Sequence, residues 1–284
     1  MIRNEKLEDI ILKTVDVPSI PAIAAKVLKI TNDDRASIAE LEKIISKDEA
    51  FAARVLKVAN SPYFGRSRDI CSISTAMMVI GFNNMHSLVV ASALKDLYKK
   101  NTVYEKSLWE HSLCVSIAAA ILACETRLVP TEEAHIAALV HDLGASVLLN
   151  CMPNDYKAIT DKAYRDGISL IKAEEEFLRF NHCDTGNLIA RKWRLPMSME
   201  LVMSYHHKET IDAIPKSTEE LDLNICRVVK AADELCLNIG IGLKNPDTSA
   251  RLDLGDIGIP ESRIPEIKKE IEKNYLEHTS DIIL

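Results

Sequence analysis

The stretch LWEHSLCVSIAAAILACETRLVPTEEAHIAALVHDLGASVLLN, residues 108–150, decides the fold. Apolar side chains and one histidine recur along its first half at helical spacing: Leu108, His111, Val115, Ala118 and Leu122. The second half repeats the pattern with Ala134, Ala138, His141, Ala145 and Leu148. Residues three and four apart share one face of a helix, so both stripes face a core. We therefore predict helices over Leu108–Arg127 and Thr131–Asn150, each with a histidine on its buried face.

Helical patterns continue in both directions from this stretch. Towards the N-terminus we predict helices over residues 4–15, Ala22–Ile30, Leu41–Ile45, Ser74–Ile80 and Asn84–Lys99. Towards the C-terminus we predict them over Asp155–Asp166, Ile168–Arg179, Thr185–Trp193, Met197–His207, Leu223–Ile239 and Pro265–Glu277. Ser37 followed by Glu40 is typical of a capping box, and the segment Gly240–Pro260 is interpreted as loop.

The whole chain is predicted to be an all-α, two-lobed helical bundle. No convincing alternation of apolar and polar residues indicates a strand. Only 9 Gly and 10 Pro occur among 284 residues, and aromatic residues make up 5%. A polar stretch at Lys99–Thr102 is the best candidate boundary, which gives an N-terminal lobe at 1–100 and a second lobe at 101–284.

Charge and cysteine content limit the classes of function. The formal net charge is −7, and no dense Lys/Arg cluster provides the basic face that a nucleic-acid polymer requires. The 7 Cys are odd in number and scattered, which favours reduced thiols over a disulfide framework. The charged N-terminus does not resemble a signal peptide, and no uninterrupted apolar run reaches the ~20 residues of a membrane helix. We therefore expect a cytoplasmic protein without a membrane association.

Five imidazoles and two carboxylates form the candidate site: His111, His141, Asp142, His182, His206, His207 and Asp233. A single histidine on an apolar face is more often a core residue bonded to a backbone carbonyl. A buried carboxylate such as Asp233 is harder to explain, because burying an unpaired charge costs several kcal/mol. Taken together, imidazole and carboxylate ligands suit Fe, Mn, Zn or Ni. We predict one or two such ions, held where the helices meet.

Adjacent residues on a helix point about 100° apart. The pairs His141–Asp142 and His206–His207 can therefore serve one site only near a helix end, or by binding two neighbouring metals. By contrast, Cys183 is interpreted as a buried free thiol rather than a soft ligand, and Asn60 as a helix-stopping residue that bonds local backbone.

The segment HDLG (141–144), with His111 before it and Asp233 well after it, resembles the HD superfamily of metal phosphohydrolases. The spacing through His182 and the pair His206–His207 is similar to the HD-GYP branch, which hydrolyses cyclic dinucleotides. This resemblance implies that the metal ligands are the seven residues of the candidate site. Three parts of the HD-GYP pattern are missing, since Ala145 replaces a lysine, Ser107 replaces a glutamate ligand, and HHKETIDAIPK (206–216) lacks the Gly-Tyr-Pro element.

The remainder of the chain is similar to HDOD domains. The carrying segments are VPSIPAIAAKVLKI (17–30), IAELEKIISKDEAFAARVLKVANSPYFG (38–65), SISTAMMVIGFNNMHSLVVASAL (72–94), LWEHS (108–112), GNLIARKWRLP (186–196) and SYHH (204–207). The likeness covers roughly residues 15 to 240. It implies an HD-like second lobe and a bacterial signal-transduction module that lacks the phosphohydrolase activity of its relatives.

Three functions follow as expectations. The first is a non-catalytic regulatory module with a metal at a vestigial HD site, whose partners are other signalling proteins or a small anionic ligand. The alternative is a metal-dependent phosphohydrolase acting on a nucleotide or cyclic dinucleotide. A third is a sensor in which the site binds a metal or ligand and shifts the packing between the lobes. The sequence leaves the oligomeric state open.

Overall fold

The structure, a computed structural model, describes residues 11–12, 26–27, 30, 37–47, 52–53, 55–56, 60, 70–80, 102–207, 213–242, 252 and 254–282. All regular structure in these ranges is helical, which confirms the predicted fold class. The helices are Ile38–Ile45 (α1), Ile73–Ile80 (α2), Val103–Thr126 (α3), Thr131–Leu139 (α4), Leu143–Cys151 (α5), Pro153–Asp166 (α6), Leu170–Leu178 (α7), His182–Trp193 (α8), Met197–Tyr205 (α9), Glu220–Ile239 (α10) and Ile264–Ile282 (α11). Short 3₁₀ turns at Gly255–Ile257 and Glu261–Arg263 precede α11.

Local capping explains where several of these helices begin and end. The predicted capping box is present at α1, where Ser37 and Glu40 bond each other's backbone N–H. The longest helix, α3, begins the same way at Thr102 with Glu105. Asn60 bonds the backbone of Leu56 and Ile70, which agrees with its predicted role. The rest of the NSPYFG segment and the predicted helix Asn84–Lys99 lie outside the described residues.

One predicted helix was wrong. The apolar stripe of Thr131–Asn150 suggested a continuous helix, but the chain leaves the α-helix after Leu139 and resumes it at Leu143. The intervening residues 140–142 form a tight turn in which the His141 N–H donates to the Ala138 carbonyl, three residues back. The helix period continues across this turn in the sequence, so the stripe alone could not reveal the interruption.

Among the residues that the structure describes, the buried apolar side chains form two clusters. In the first, Leu41 and Ile45 of α1 pack together with residues of α5 and α6 such as Leu143 and Tyr156. The second lies between α3, α4, α10 and α11 and includes Val229. The boundary proposed between 1–100 and 101–284 adjoins residues outside the described ranges and stays a prediction.

Helix α3 is central to the second cluster. It packs against α4, α10 and α11, while α8 packs against α5 and α9. Two stretches, Val103–Thr126 and Thr131–Cys151, pass a test of length and hydropathy for membrane helices. Because 78% and 89% of their most apolar windows are buried inside the protein, both stretches belong to its core, the first as α3 and the second as α4 and α5. The predicted cytoplasmic location stays a prediction.

Candidate metal centre

All seven predicted site residues meet in one interior cluster. They come from α3 (His111), the turn between α4 and α5 (His141 and Asp142), the start of α8 (His182), the end of α9 (His206 and His207) and α10 (Asp233). Six of them are at most 3% exposed, and only the His207 side chain, 20% exposed, reaches the surface. The prediction that distant helices bring these groups together is therefore correct.

Both adjacent pairs lie at helix ends, as their shared site requires. Asp142 occupies the N-cap position of α5, yet its side chain accepts no hydrogen bond from that helix. It points instead at the surrounding imidazoles. His206 is the C-cap residue of α9, and His207 follows it outside the helix. One pair lies in the turn at 140–142 and the other at the end of α9. The two side chains of each pair are therefore not held about 100° apart, as they would be within a continuous helix.

The glycine of the HDLG segment is required by packing of α5 against α8. A Cβ at Gly144 would overlap the backbone carbonyl oxygen of His182 and lie 2.8 Å from the backbone nitrogen of Gly186. Neither neighbour is a flexible side chain, so no small rearrangement would make room. Gly144 thereby allows the turn that carries His141 and Asp142 to lie directly on the helix start that carries His182.

We expect Gly144→Ala to lower the free energy of unfolding by about 3 kcal/mol or more, because backbone atoms would have to move. Urea denaturation measures this change. Gly167→Ala is the matched control: its Cβ meets nothing within 4 Å, and only its φ of 63° is unfavourable. That control should cost about 1 kcal/mol. Equal losses in the two variants would contradict the packing role of Gly144.

Helix α8 begins earlier than predicted, at His182 rather than Thr185. Asn181 is its N-cap and accepts hydrogen bonds from the N–H groups of Cys183 and Asp184. The Asp184 carboxylate accepts from the Asn181 N–H in return, which completes a capping box. This cap fixes His182 in the first turn, with its ring directed into the cluster.

Asp142 lies at the centre of the cluster. Its Oδ1 is 3.4 Å from Nε2 of both His182 and His206. Its Oδ2 is 3.4 Å from Nε2 of His141 and 4.0 Å from Nε2 of His111. One carboxylate therefore faces two groups of imidazoles, one with each oxygen.

Asp233 approaches the cluster from the opposite helix. Its Oδ1 is 2.9 Å from His111 Nε2 and 3.9 Å from His141 Nε2. Its Oδ2 is 3.5 Å from His207 Nδ1. A further close approach joins Nε2 of His182 and Nε2 of His207, at 2.9 Å.

Backbone carbonyls orient two of the rings. The Ala138 carbonyl lies 2.7 Å from His141 Nδ1, and the Val202 carbonyl lies 2.8 Å from His206 Nδ1. A carbonyl only accepts, so each Nδ1 carries the proton, and the neutral ring has its lone pair on Nε2. Both of these Nε2 atoms are directed at Asp142, which is the arrangement of metal-binding histidines.

The unpartnered atoms fit a metal ion. Within the part of the chain that the structure describes, five buried side-chain atoms make no hydrogen bond. Three of them face one another in the cluster, namely His141 Nε2, Asp142 Oδ1 and His206 Nε2, and the other two are His111 Nδ1 and Ser112 Oγ. Ligands about 2.1 Å from one ion are roughly 3.0–3.4 Å apart in octahedral or tetrahedral coordination. Five close approaches between ligand atoms of the cluster, at 2.9 to 3.4 Å, match that spacing. The approaches of His207 to Asp233, His141 to Asp233 and His111 to Asp142 are longer, at 3.5, 3.9 and 4.0 Å.

The pKa shifts favour a cation in the cluster. Burial lowers the pKa of His141 to about 4, so its ring is neutral near pH 7. Although burial opposes it, the neighbouring imidazoles, His141 first, hold the pKa of the Asp142 carboxyl well below its usual range. Burial likewise opposes charge on His182, but the Glu174 carboxylate raises the pKa of that imidazole well above its ordinary value. Burial opposes charge on His206 as well, but Cys183 and Asp142 raise the pKa of that imidazole to about 10. Positive charge is therefore stabilised around Asp142, whether protons on these rings or a metal ion carry it.

One residue of the site was missed by sequence reasoning. Glu174 of α7 is fully buried, and its Oε2 accepts from both the backbone N–H and Nδ1 of His182, at 2.9 and 2.7 Å. Its Oε1 accepts from the Tyr156 hydroxyl at 2.6 Å. It stands in the run EEE (174–176), which is typical of a solvated face. A signal existed, because Ile171, Glu174 and Leu178 follow helical spacing.

The structure shows the surroundings of Ala145, one of the positions at which the chain departs from the HD-GYP pattern. Ala145, in place of the lysine, is completely buried within a core cluster of apolar side chains. Cys183 is buried and forms no disulfide, as predicted, and its Sγ lies 4.0 Å from His206 Nδ1. Its ligand atom also lies close to those of His182, His206 and His207, so the prediction that it is not a metal ligand stays a prediction. Much of the segment that lacks the Gly-Tyr-Pro element falls in residues 208–212, outside the described ranges.

Comparisons with known proteins agree with this architecture. An uncharacterized protein of Treponema pallidum (strain Nichols) is 22% identical over 206 residues, which is 72% of this chain. The match covers 39% of the relative, so the chain spans about two fifths of the length of the curated relative that it matches.

Solved structures of other proteins share the fold, among them the following three. An HDOD domain protein of unknown function from Geobacter sulfurreducens is 24% identical, with a TM-score of 0.71 over 95% of this chain and 98% of its own. A candidate phosphohydrolase from Shewanella amazonensis SB2B is 22% identical, with a TM-score of 0.65 over 93% of both chains. A candidate signal transduction protein from Marinobacter aquaeolei VT8 is 17% identical, with a TM-score of 0.67 over 99% of this chain and 64% of its own.

The family can be assigned from the sequence match itself. A family model of the HDOD domain matches residues 17–209, which is more than half of the chain. That range includes six of the seven clustered residues, all but Asp233. The chain therefore belongs to the HDOD domain family.

Proposed function

We propose that this chain is a regulatory HDOD module that binds one or two divalent transition-metal ions in the His/Asp cluster and does not hydrolyse phosphate esters. The observation that carries the proposal is the set of buried Nε2 and carboxylate atoms that face one another without hydrogen bonds. Burying such groups without a partner costs roughly 1–3 kcal/mol each, and a metal ion would supply the partner for several at once.

The ligands divide into two overlapping groups around Asp142. His111, His141, Asp142 and Asp233 would hold one ion, and Asp142, His182, His206 and His207 would hold the other. Imidazole and carboxylate ligands suit Fe, Mn, Zn or Ni. Bound ions would supply Lewis acidity towards an oxygen of a phosphate group.

Two carboxylates among the ligands would not neutralise two divalent ions. The buried excess of positive charge favours a small anionic ligand, which His207, the exposed member, could admit. Its binding would provide a signal that other signalling proteins read.

The absence of hydrolysis is proposed because of Ala145. The lysine of the HD-GYP pattern is replaced by a methyl group inside the apolar core, so no cationic side chain reaches the cluster from this position. The second candidate, a metal-dependent phosphohydrolase acting on a nucleotide or cyclic dinucleotide, is favoured by the seven candidate ligands that the chain retains. It also agrees with the description of the Shewanella relative.

Elemental analysis and a hydrolysis assay test the proposal together. We expect the chain, purified without chelators, to carry about one or two transition-metal ions. With those ions bound it should not hydrolyse cyclic di-GMP above the rate of an Asp142→Ala control. A chain free of Fe, Mn, Zn and Ni would refute metal binding, and turnover that disappears in the Asp142→Ala variant would establish the hydrolase instead.

A further inference from the structure

Glu174 is fully buried but lies outside the cluster. Among the described residues it is the only such carboxylate that bonds a candidate ligand, His182, on the side of the ring that faces away from the cluster. We propose that Glu174 is a positioning residue that acts through His182 and strengthens ion binding in the group formed by Asp142, His182, His206 and His207. This inference rests on the proposed metal binding and assigns a role to a residue that would not touch the ion.

The hydrogen bond between Glu174 and the His182 ring differs from the hydrogen bonds that orient the rings of His141 and His206. Nδ1 of His141 and Nδ1 of His206 each donate to a neutral backbone carbonyl, whereas Nδ1 of His182 donates to a carboxylate. A hydrogen bond to an ionised acceptor is about twice as strong as one between neutral groups. It also increases the basicity of the ring, and therefore the strength of Nε2 as a metal ligand.

Helix capping alone does not account for Glu174. Its bond with the His182 backbone N–H does satisfy one donor at the start of α8. The next two donors, however, are already satisfied by Asn181, so the helix start has its own cap. The bond to the ring adds nothing to that cap, and it fixes the direction in which Nε2 points.

Tyr156 holds the carboxylate in place. Its hydroxyl is buried and donates to Oε1, while Oε2 serves His182. The two oxygens are thereby assigned different partners, so the carboxylate cannot rotate freely about its axis. The result is a chain of hydrogen bonds, Tyr156–Glu174–His182, that ends 2.9 Å from His207 and 3.4 Å from Asp142.

The test is Glu174→Gln in the full chain, stripped of metal and titrated with Co²⁺ by calorimetry and visible absorption. Glutamine has nearly the same shape, so it removes the charge while its amide can still bond His182 and Tyr156. We expect one binding step to weaken by about 10–100-fold, the usual effect of losing an outer partner of a ligand. The absorption of the Co²⁺ bound in that step should change as well, because His182 Nδ1 loses its ionised acceptor and Nε2 becomes a weaker ligand.

Glu175→Gln is the matched control. Glu175 is the next residue on α7, is exposed, and accepts from Asn181 Nδ2 at the same helix start. The Glu175→Gln variant should bind Co²⁺ with the same affinity as the unaltered chain. If Glu174→Gln fails to fold by circular dichroism, Tyr156→Phe replaces it, since this variant keeps the charge but frees the carboxylate; the same step should weaken.

The outcomes separate the two proposals. An unaltered chain that binds no Co²⁺ would refute the proposed metal site itself. An unaltered chain that binds Co²⁺, together with a folded Glu174→Gln variant of equal affinity and spectrum, would refute only the role of Glu174. Weakening by both glutamine variants alike would indicate a structural effect at the start of α8 and would also overturn the inference.

Discussion

Asp142→Asn is expected to abolish high-affinity metal binding in the whole cluster. Asp142 is the residue whose two oxygens face both groups of imidazoles, Oδ1 towards His182 and His206 and Oδ2 towards His141. An amide keeps the size of the side chain but lacks the charge and offers one acceptor in place of two. The affinity should therefore fall by more than the roughly 100-fold that marks the upper range for losing an outer partner.

The measurement is the metal content of the purified variant and its titration with Co²⁺. Asp184→Asn provides a control with the same chemical change near the same histidines. The Asp184 carboxylate accepts from the Asn181 N–H in the cap of α8 and does not face the cluster centre. Metal binding should survive in that variant. Retention of both ions by Asp142→Asn would mean that the central position of this carboxylate has no role in binding.

Much of this site could be predicted because burial and helical spacing are local properties of a sequence. His111 and Asp233 each stand in an apolar stripe, so each had to be buried wherever its helix packed. Helix period also required the pairs at 141–142 and 206–207 to lie near helix ends if both members were to serve one site. The structure agrees at both places, because α4 ends before His141 and α9 ends at Tyr205.

The turn between α4 and α5 could not be predicted from the local sequence pattern. Ala-rich sequence on either side of His141 continues the helical pattern without a break, and no Pro or Gly stands within residues 131–142. The interruption is accompanied by a close contact between Gly144 and the backbone at His182, about forty residues later in the chain. A contact of that separation leaves no periodic trace in the sequence.

Glu174 was missed for a different reason. Its neighbours Glu175 and Glu176 are exposed, and a run of three carboxylates is normally a solvated helix face. Only the partners distinguish Glu174, since Tyr156 and His182 surround it once α6, α7 and α8 have packed. A buried charge among exposed charges is recognised by its hydrogen bonds, which the sequence does not contain.

Removing the metal is expected to lower the melting temperature of the chain by roughly 8–16 °C. The reason is that the proposed ions would bind the folded state alone, because the ligands come from five segments that are separated in the unfolded chain. Free metal at about 1,000 times its dissociation constant adds about 4 kcal/mol of stability. In a chain of this size, about 1 kcal/mol shifts the melting temperature by roughly 2–4 °C.

Thermal unfolding followed by circular dichroism, with and without a chelator, measures the shift. Chelator saturated with Ca²⁺ controls for effects of the reagent, and restoring a transition-metal ion should restore the melting temperature. The shift should also grow with free metal concentration, because a ligand of the folded state stabilises by mass action. If the cluster is only structural and binds no metal, the melting temperature should be the same with chelator, without chelator and after a transition-metal ion is added. His141, His206 and Asp142 would then have to be satisfied by protons and by each other, which their unpartnered Nε2 and Oδ1 atoms argue against.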